Sequence, residues 1–310
     1  AIAQVIIILT LPVLTRLYSP DDFNSLAVYS SLLALLSVIA CLRFEIAIPL
    51  PKLDRTAVTL LVLSLVGTLI ITLLSALLIY LFNEQIDKLT KSNLRGYYWL
   101  IPIGVFFTGI FSAFQFWATR KKQFSTIAKT RVTQAVTSSA FQLIFGLLNA
   151  TPFGLLAGQI VKLSSGFFVL ARNFFKENSK YFFQTNNKLL VETFKDYDRF
   201  PKYSIWEGFA NTAALQIPVL LIAFYAVGPE AGFLMLAMQL LAAPMALIGQ
   251  STAQVYLSEA PEKHQQGNLK LFTQKIIISL LKISAIPMLV AALLSPYVVP
   301  LLLGEKWERV

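Results

Sequence analysis

The chain has 310 residues, 56% of them hydrophobic and only 14% charged, with a mean hydropathy of +0.66. A soluble domain needs about 25% charged residues to keep its surface wet, so an ordinary water-soluble fold is excluded and lipid must solvate much of this surface. The net charge of +10 reads, in so apolar a chain, as loop charge that sets membrane topology and not as a nucleic-acid footprint.

Apolar runs of about 18 or more residues recur along the chain, and a bilayer core of roughly 30 Å takes about 20 helical residues to cross. In that core each backbone amide must be paired within the chain, which leaves helices or closed barrels. Barrel strands would alternate in polarity over about ten residues; these runs are longer and apolar all round. The pattern predicts an all-α polytopic membrane protein with about nine spans. They run Ala1 to Leu17, Asn24 to Ala47, Ala57 to Phe82, Tyr97 to Ala118, Ile127 to Leu148 and Phe153 to Ala171. After a polar stretch follow Ser204 to Val227, Ala231 to Val255 and Lys275 to Leu303.

The connections differ in charge. Lys52 and Arg55, then Arg120, Lys121, Lys122, Lys129 and Arg131, mark two of them. Arg172, Lys176, Lys180, Lys188, Lys195, Arg199 and Lys202 mark a third, and Lys263 and Lys270 a fourth. The alternate connections are bland, apart from residues 83–96, where Lys88, Lys91 and Arg95 mix with Glu84 and Asp87. This alternation puts the basic set in the cytoplasm and runs the first helix outward. The longest connection, Arg172 to Tyr203, interleaves cations with Phe174, Phe175, Tyr181, Phe182 and Phe183, and is expected to lie on the headgroups. The chain opens at Ala1 inside an apolar run and is read as a fragment, trimmed in its first helix.

The seventh span echoes the first. Leu11-Pro12-Val13-Leu14 resembles Ile217-Pro218-Val219-Leu220, and Pro20-Asp21-Asp22-Phe23 resembles Pro229-Glu230-Ala231-Gly232-Phe233. Ser31-Leu32-Leu33-Ala34 then lines up with Gln239-Leu240-Leu241-Ala242. An offset of about 208 residues and six spans preserves orientation, as in a parallel repeat about an axis along the membrane normal. Chance similarity between Leu-rich helices is the competing reading. The echo divides the chain into a six-helix lobe at 1–171, a cytoplasmic amphipathic linker at 172–203 and three helices of a second lobe at 204–310.

Polar groups at membrane depth face a bundle interior or a hydrated cavity. Stripes at helical spacing are Thr108, Ser112, Gln115 and Thr119; Arg131, Gln134, Ser138 and Gln142; and Ser204, Glu207 and Asn211. Further stripes are Gln239, Ala243, Ala246, Gln250 and Gln254, and Lys275, Ser279 and Lys282. Gln159 and Lys162 share a face beside Gly158 and Gly166. Gln159, Asn211, Gln239 and Gln250 are candidate cavity residues, with interhelical hydrogen bonding as the alternative for each. Lys162 and Lys282 must reach water, a carboxylate or an anion; Lys282 has the further option of snorkelling. Arg43 and Glu45 either pair or serve a cavity, and Arg16 is an interfacial anchor or a ligand contact. Glu207 is the candidate carboxylate for ion coupling. Pro12, Pro102, Pro218, Pro244 and Pro287 fall inside spans and are expected to bend them.

Cys41 is the sole cysteine and His264 the sole histidine, so neither a cysteine metal cluster nor a histidine triad is expected. No paired-carboxylate, phosphate-loop or metal motif appears, and no catalytic residue, metal or cofactor is assigned.

Five segments, in order, carry a resemblance: Thr15-Arg16-Leu17-Tyr18-Ser19-Pro20-Asp21-Asp22-Phe23; Arg43-Phe44-Glu45-Ile46-Ala47-Ile48-Pro49-Leu50-Pro51; Arg120-Lys121-Lys122-Gln123-Phe124; Phe200-Pro201-Lys202-Tyr203-Ser204; and Leu303-Gly304-Glu305-Lys306-Trp307. Together they resemble the bacterial oligosaccharide flippases, exporters of O-antigen, capsule or exopolysaccharide units related to MATE drug exporters. The resemblance implies a MATE-like bundle of two six-helix lobes, the second truncated here, in the bacterial inner membrane. It implies a polyprenyl-diphosphate-linked oligosaccharide as substrate, with membrane lipids, a polysaccharide polymerase and export proteins as partners. It also implies that cavity cations hold the diphosphate, a role it assigns to Arg16, Arg43, Lys162 and Lys282. A cation-coupled multidrug exporter of the same fold, and a membrane glycosyltransferase or polymerase, are the rival functions.

Overall fold

A computed structural model describes residues 2–90, 94, 96–183, 186–241, 256, 263 and 266–310. The chain divides into two compact units, Ile2–Gly232 and Phe233–Val310. The described elements are helical, as the apolar runs require.

The larger unit opens with α1 (Ile2–Leu17), which carries Pro12 in its interior. Next comes α2 (Pro20–Ser37), started by a reciprocal cap: the Ser19 hydroxyl accepts from the Asp22 amide, and the Asp22 carboxylate accepts from the Ser19 amide at 2.8 Å. Pro20 occupies the first turn, where its missing N–H costs nothing.

The span predicted from Asn24 to Ala47 is not one helix. α2 ends at Ser37, a stretch of turns follows, and a single-turn α3 covers Phe44–Ala47. Leu42 and Arg43 adopt left-handed conformations, with φ of 51° and 63°. Such conformations cost an L-residue about 1–2 kcal/mol each, so surrounding packing must impose the break. No Gly or Pro marks it in the sequence.

Then follow α4 (Asp54–Thr90), α5 (Leu100–Arg120), α6 (Phe124–Leu147), α7 (Phe153–Phe183), α8 (Asn187–Asp196) and α9 (Ile205–Tyr225). α7 packs on α5 and α6, α1 on α6, α4 on α5, and α2 on α5 and α9. Pro102 lies in the first turn of α5, where the N–H groups have no intrahelical acceptor, so the expected bend there has no cause. Pro12 and Pro218 do sit inside helices, and the helices after both begin beside a proline-acid pair.

Among the described residues, Asp54–Ile86, Leu100–Arg120, Phe153–Lys176 and Phe200–Tyr225 are long and apolar enough to cross a bilayer. α6 is long enough, yet polar in sequence because its polar face is the buried one. Gln134, Ser138, Ser139 and Gln142 are buried, whereas Val136, Ile144, Leu147 and Leu148 are exposed. A helix polar inward and apolar outward is solvated by lipid. The same holds along α4, where Leu69, Ile70, Leu73, Leu77 and Leu81 are exposed.

The Arg172–Tyr203 segment departs from a surface strip. α7 continues through it to Phe183, and Phe174 is buried edge-on against Trp117 at 5.0 Å and Phe114 at 5.4 Å. Phe175 and Phe182 join that cluster. Only α8 reads as amphipathic: Thr193 is buried, Phe194 meets Phe44 at 5.5 Å, and Val191, Lys188 and Lys195 are exposed.

α10 (Glu230–Leu241) runs across the division. The remainder of the eighth predicted span lies outside the described residues, as do Pro244, Gln250 and His264. The smaller unit is dominated by α11 (Leu269–Leu303), with Trp307 buried edge-on against Phe233 at 5.8 Å.

Candidate functional site

The seam between α6 and α7 is built on glycines. Gly154, Gly158 and Gly166 recur on one face of α7 at multiples of four residues, which brings the two backbones close. A Cβ on Gly158 would stand 2.4 Å from Cγ of Gln142, and one on Gly166 2.5 Å from Nε2 of Gln134. At the end of the seam Tyr18 fills the space that Gly146 and Gly154 leave open, and donates its hydroxyl to the Gln142 carbonyl at 2.7 Å. Thr137 donates to Ser165 across the same seam at 3.0 Å.

Lys162 occupies the one position of that four-residue series that is not glycine. It is half-buried on a membrane-spanning helix, and the charged group acting on its ammonium is Arg131 of α6, another cation. Arg131 donates to Oε1 of Gln115 on α5 at 3.0 Å and lies over the Phe111 ring at 5.8 Å. Neither cation makes an ion pair among the described residues. Among the described residues, the half-buried Lys162 of α7 and the exposed Arg131 of α6 are thus two cations without an ion pair, the second held by an amide of α5.

Arg43 differs. Its guanidinium is 3.9 Å from the buried Glu45 carboxylate and packs against Gly208 of α9, where an added Cβ would stand 2.9 Å from Cζ. Nε of Arg43 and Oε2 of Glu45 are buried without a hydrogen-bond partner among the described residues. This pair is close to charge-neutral, so it offers less to an anion than Lys162 and Arg131 do.

The other sequence candidates are scattered. Arg16 is exposed at the end of α1; Glu207 and Asn211 are exposed on α9, either side of the Gly208 contact; Gln159 is half-buried on α7, off the glycine face. Lys282 is exposed on α11 and Gln239 half-buried on α10, both within the smaller unit. Gln134, Ser138 and Gln142 serve helix packing. Thr108 and Thr119 donate to their own helix at Gly104 and Gln115. The sequence placed Arg131 on a polar stripe but did not join it to Lys162; the glycine spacing of α7 was the available signal. Among the described residues no group of three His, Cys, Asp or Glu could hold a metal.

At the C-terminal end of α5, Arg120 holds the turn after α3. Its guanidinium donates to the Pro49, Pro51 and Lys52 carbonyls and, at 2.9 Å, to Asp54, which Lys121 also pairs at 2.6 Å.

A family model described as polysaccharide biosynthesis protein matches residues 13–310, a range that includes Arg16, Arg43, Arg131 and Lys162. Neither the curated proteins nor the solved structures gave a match. With its lipid-facing helices and this nearly end-to-end match, the chain is a multi-pass helical membrane protein that belongs to the polysaccharide biosynthesis protein family.

Proposed function

We propose that the chain acts as a flippase for polyprenyl-diphosphate-linked oligosaccharide, moving the anionic head across the bacterial inner membrane by alternating access while the lipid tail stays in the bilayer. The observation that carries this reading is the pair of cations Lys162 and Arg131 on α7 and α6, which form no ion pair among the described residues. A lysine at the centre of a spanning helix costs about 2.5–3.5 kcal/mol on insertion scales, and a second cation beside it adds repulsion. A diphosphate offsets both through charge-assisted hydrogen bonds. Gln115 fixes the Arg131 fork before the ligand arrives, which lowers the ordering cost. The membership in a polysaccharide biosynthesis family supports a sugar-bearing substrate over a drug cation. The cation-exporter alternative calls for an acid facing the cavity, and the buried acid of the broken span, Glu45, is already matched by Arg43.

The test is translocation of lipid-linked oligosaccharide in proteoliposomes containing the whole protein. Lys162→Ala and Arg131→Ala should each reduce the rate at least tenfold while the protein remains folded. Undiminished transport in both variants sinks the assignment.

A further inference from the structure

An open cleft of about 720 Å³ lies at the N-terminal end of α4, the end read from its basic residues as cytoplasmic, lined by Pro51, Lys52, Leu53, Thr56, Asp196 and Tyr197. One wall is the turn after α3; the other is the C-terminal end of α8. Lys52 and Asp196 are exposed, and neither forms an ion pair with the other or with any other described residue. A cation and an anion therefore face one cleft without forming an ion pair with each other.

Two features indicate that this arrangement is held in place. Arg120 donates to the Pro49, Pro51 and Lys52 carbonyls, which fixes the backbone from which Lys52 projects. Asp196 is the last residue of α8, where the negative end of the helix dipole disfavours a carboxylate. Its place there does not serve helix stability. Tyr197, stacked on Phe200 at 6.3 Å, supplies an aromatic wall beside the acid. Leu50 and Leu53 are 63% and 70% exposed along the same turn, so apolar surface continues from the cleft.

We propose that this cleft binds the zwitterionic headgroup of an aminophospholipid of the cytoplasmic leaflet, its phosphate at Lys52 and its primary ammonium at Asp196. The two opposite charges, which do not pair with each other, match a headgroup that carries both signs separated by a two-carbon linker. The exposed leucines favour a lipid over a free soluble zwitterion, because acyl chains can lie against them. A primary ammonium donates hydrogen bonds to a carboxylate; a choline cannot, and a glycerol headgroup has no cation to offer. A bound headgroup would bridge α8 to the turn that follows α3.

The experiment is native mass spectrometry of the purified protein equilibrated with matched-chain phosphatidylethanolamine, phosphatidylcholine and phosphatidylglycerol. Wild type should retain the ethanolamine lipid about fivefold over the choline lipid, the ratio expected of one partly exposed ionic hydrogen bond. Asp196→Asn should remove that preference, and Lys52→Glu should lower retention of both phosphatidylethanolamine and phosphatidylglycerol. Glu192→Gln, on α8 but outside the cleft, should change nothing. Thermal stability in nanodiscs of the same lipids gives a second reading, with the ethanolamine-dependent increase lost in Asp196→Asn. Equal retention of ethanolamine and choline lipids by wild type overturns the proposal, as does an unaltered preference in Asp196→Asn. Displacement by soluble glycerophosphoethanolamine at the same concentration as the lipid would overturn the lipid assignment. None of these readings depends on translocation, so they stand apart from the flippase test.

Discussion

Gln142 of α6 lies directly over Gly158 of α7, with its Cγ only 2.4 Å from where a Cβ would stand. That contact sets the distance between the two helices on which the candidate site is built. Gly158→Ala must push Gln142 and its backbone away. The expected cost is about 1–3 kcal/mol, the usual penalty for overpacking, read as a lower melting temperature in detergent. Shortening the opposing side chain in Gly158→Ala/Gln142→Ala should recover part of the loss. Additive losses in the double variant would show that the contact is not the cause.

Lys162 sits in the same glycine series, so its charge should oppose stability while serving function. Lys162→Met keeps the length of the stem and removes the cation from beside Arg131. A gain of about 1 kcal/mol or more is expected, in line with the replacement of buried charge by apolar volume. Translocation should fall in the same variant. A Met variant less stable than wild type would mean that Lys162 has a partner that offsets its charge.

Tyr18 donates to the Gln142 carbonyl at 2.7 Å in a buried position. Tyr18→Phe leaves the ring packing in place and deletes the donor, with an expected loss of about 1 kcal/mol. Chemical denaturation of the detergent-solubilised protein would measure it. No change would show that the carbonyl finds another donor.

Arg120 donates to the carbonyls of four residues, Ile48, Pro49, Pro51 and Lys52, and to the Asp54 carboxylate in the turn between α3 and α4. Arg120→Lys should not substitute for it, because an ammonium cannot present the planar fork. Hydrogen exchange over residues 48–56 should rise in Arg120→Lys nearly as much as in Arg120→Ala. Full protection in the Lys variant would reduce Arg120 to a point charge.

Glu45 is matched to Arg43, and Arg43 leans on Gly208. Glu45→Gln leaves the guanidinium without its counter-charge in a largely buried place, an expected loss of about 3–5 kcal/mol if the ion pair is integral. Gly208→Ala tests the other side of the contact. Its clash is with the end of a flexible side chain, so a smaller loss is expected than for Gly158→Ala. The reverse order would place the rigid contact at α9.

The helical class and membrane setting, together with most span limits, were legible in the sequence, because an apolar run of spanning length in lipid has one way to satisfy its amides. What the sequence did not reveal is the break between Ser37 and Phe44. Leu42 and Arg43 carry no conformational signature, and their left-handed backbone is imposed by surrounding packing. Nor did it reveal the fate of the polar stripes. Gln134 and Gln142 follow the same period as Arg131, yet the glutamines close on glycines of α7 while Arg131 turns to Gln115 and the vicinity of Lys162. Periodicity gives a residue a face on its own helix. Which face meets a neighbour, and which meets a second cation, depends on interhelical distance, and here the spacing of glycines on α7 decides that distance.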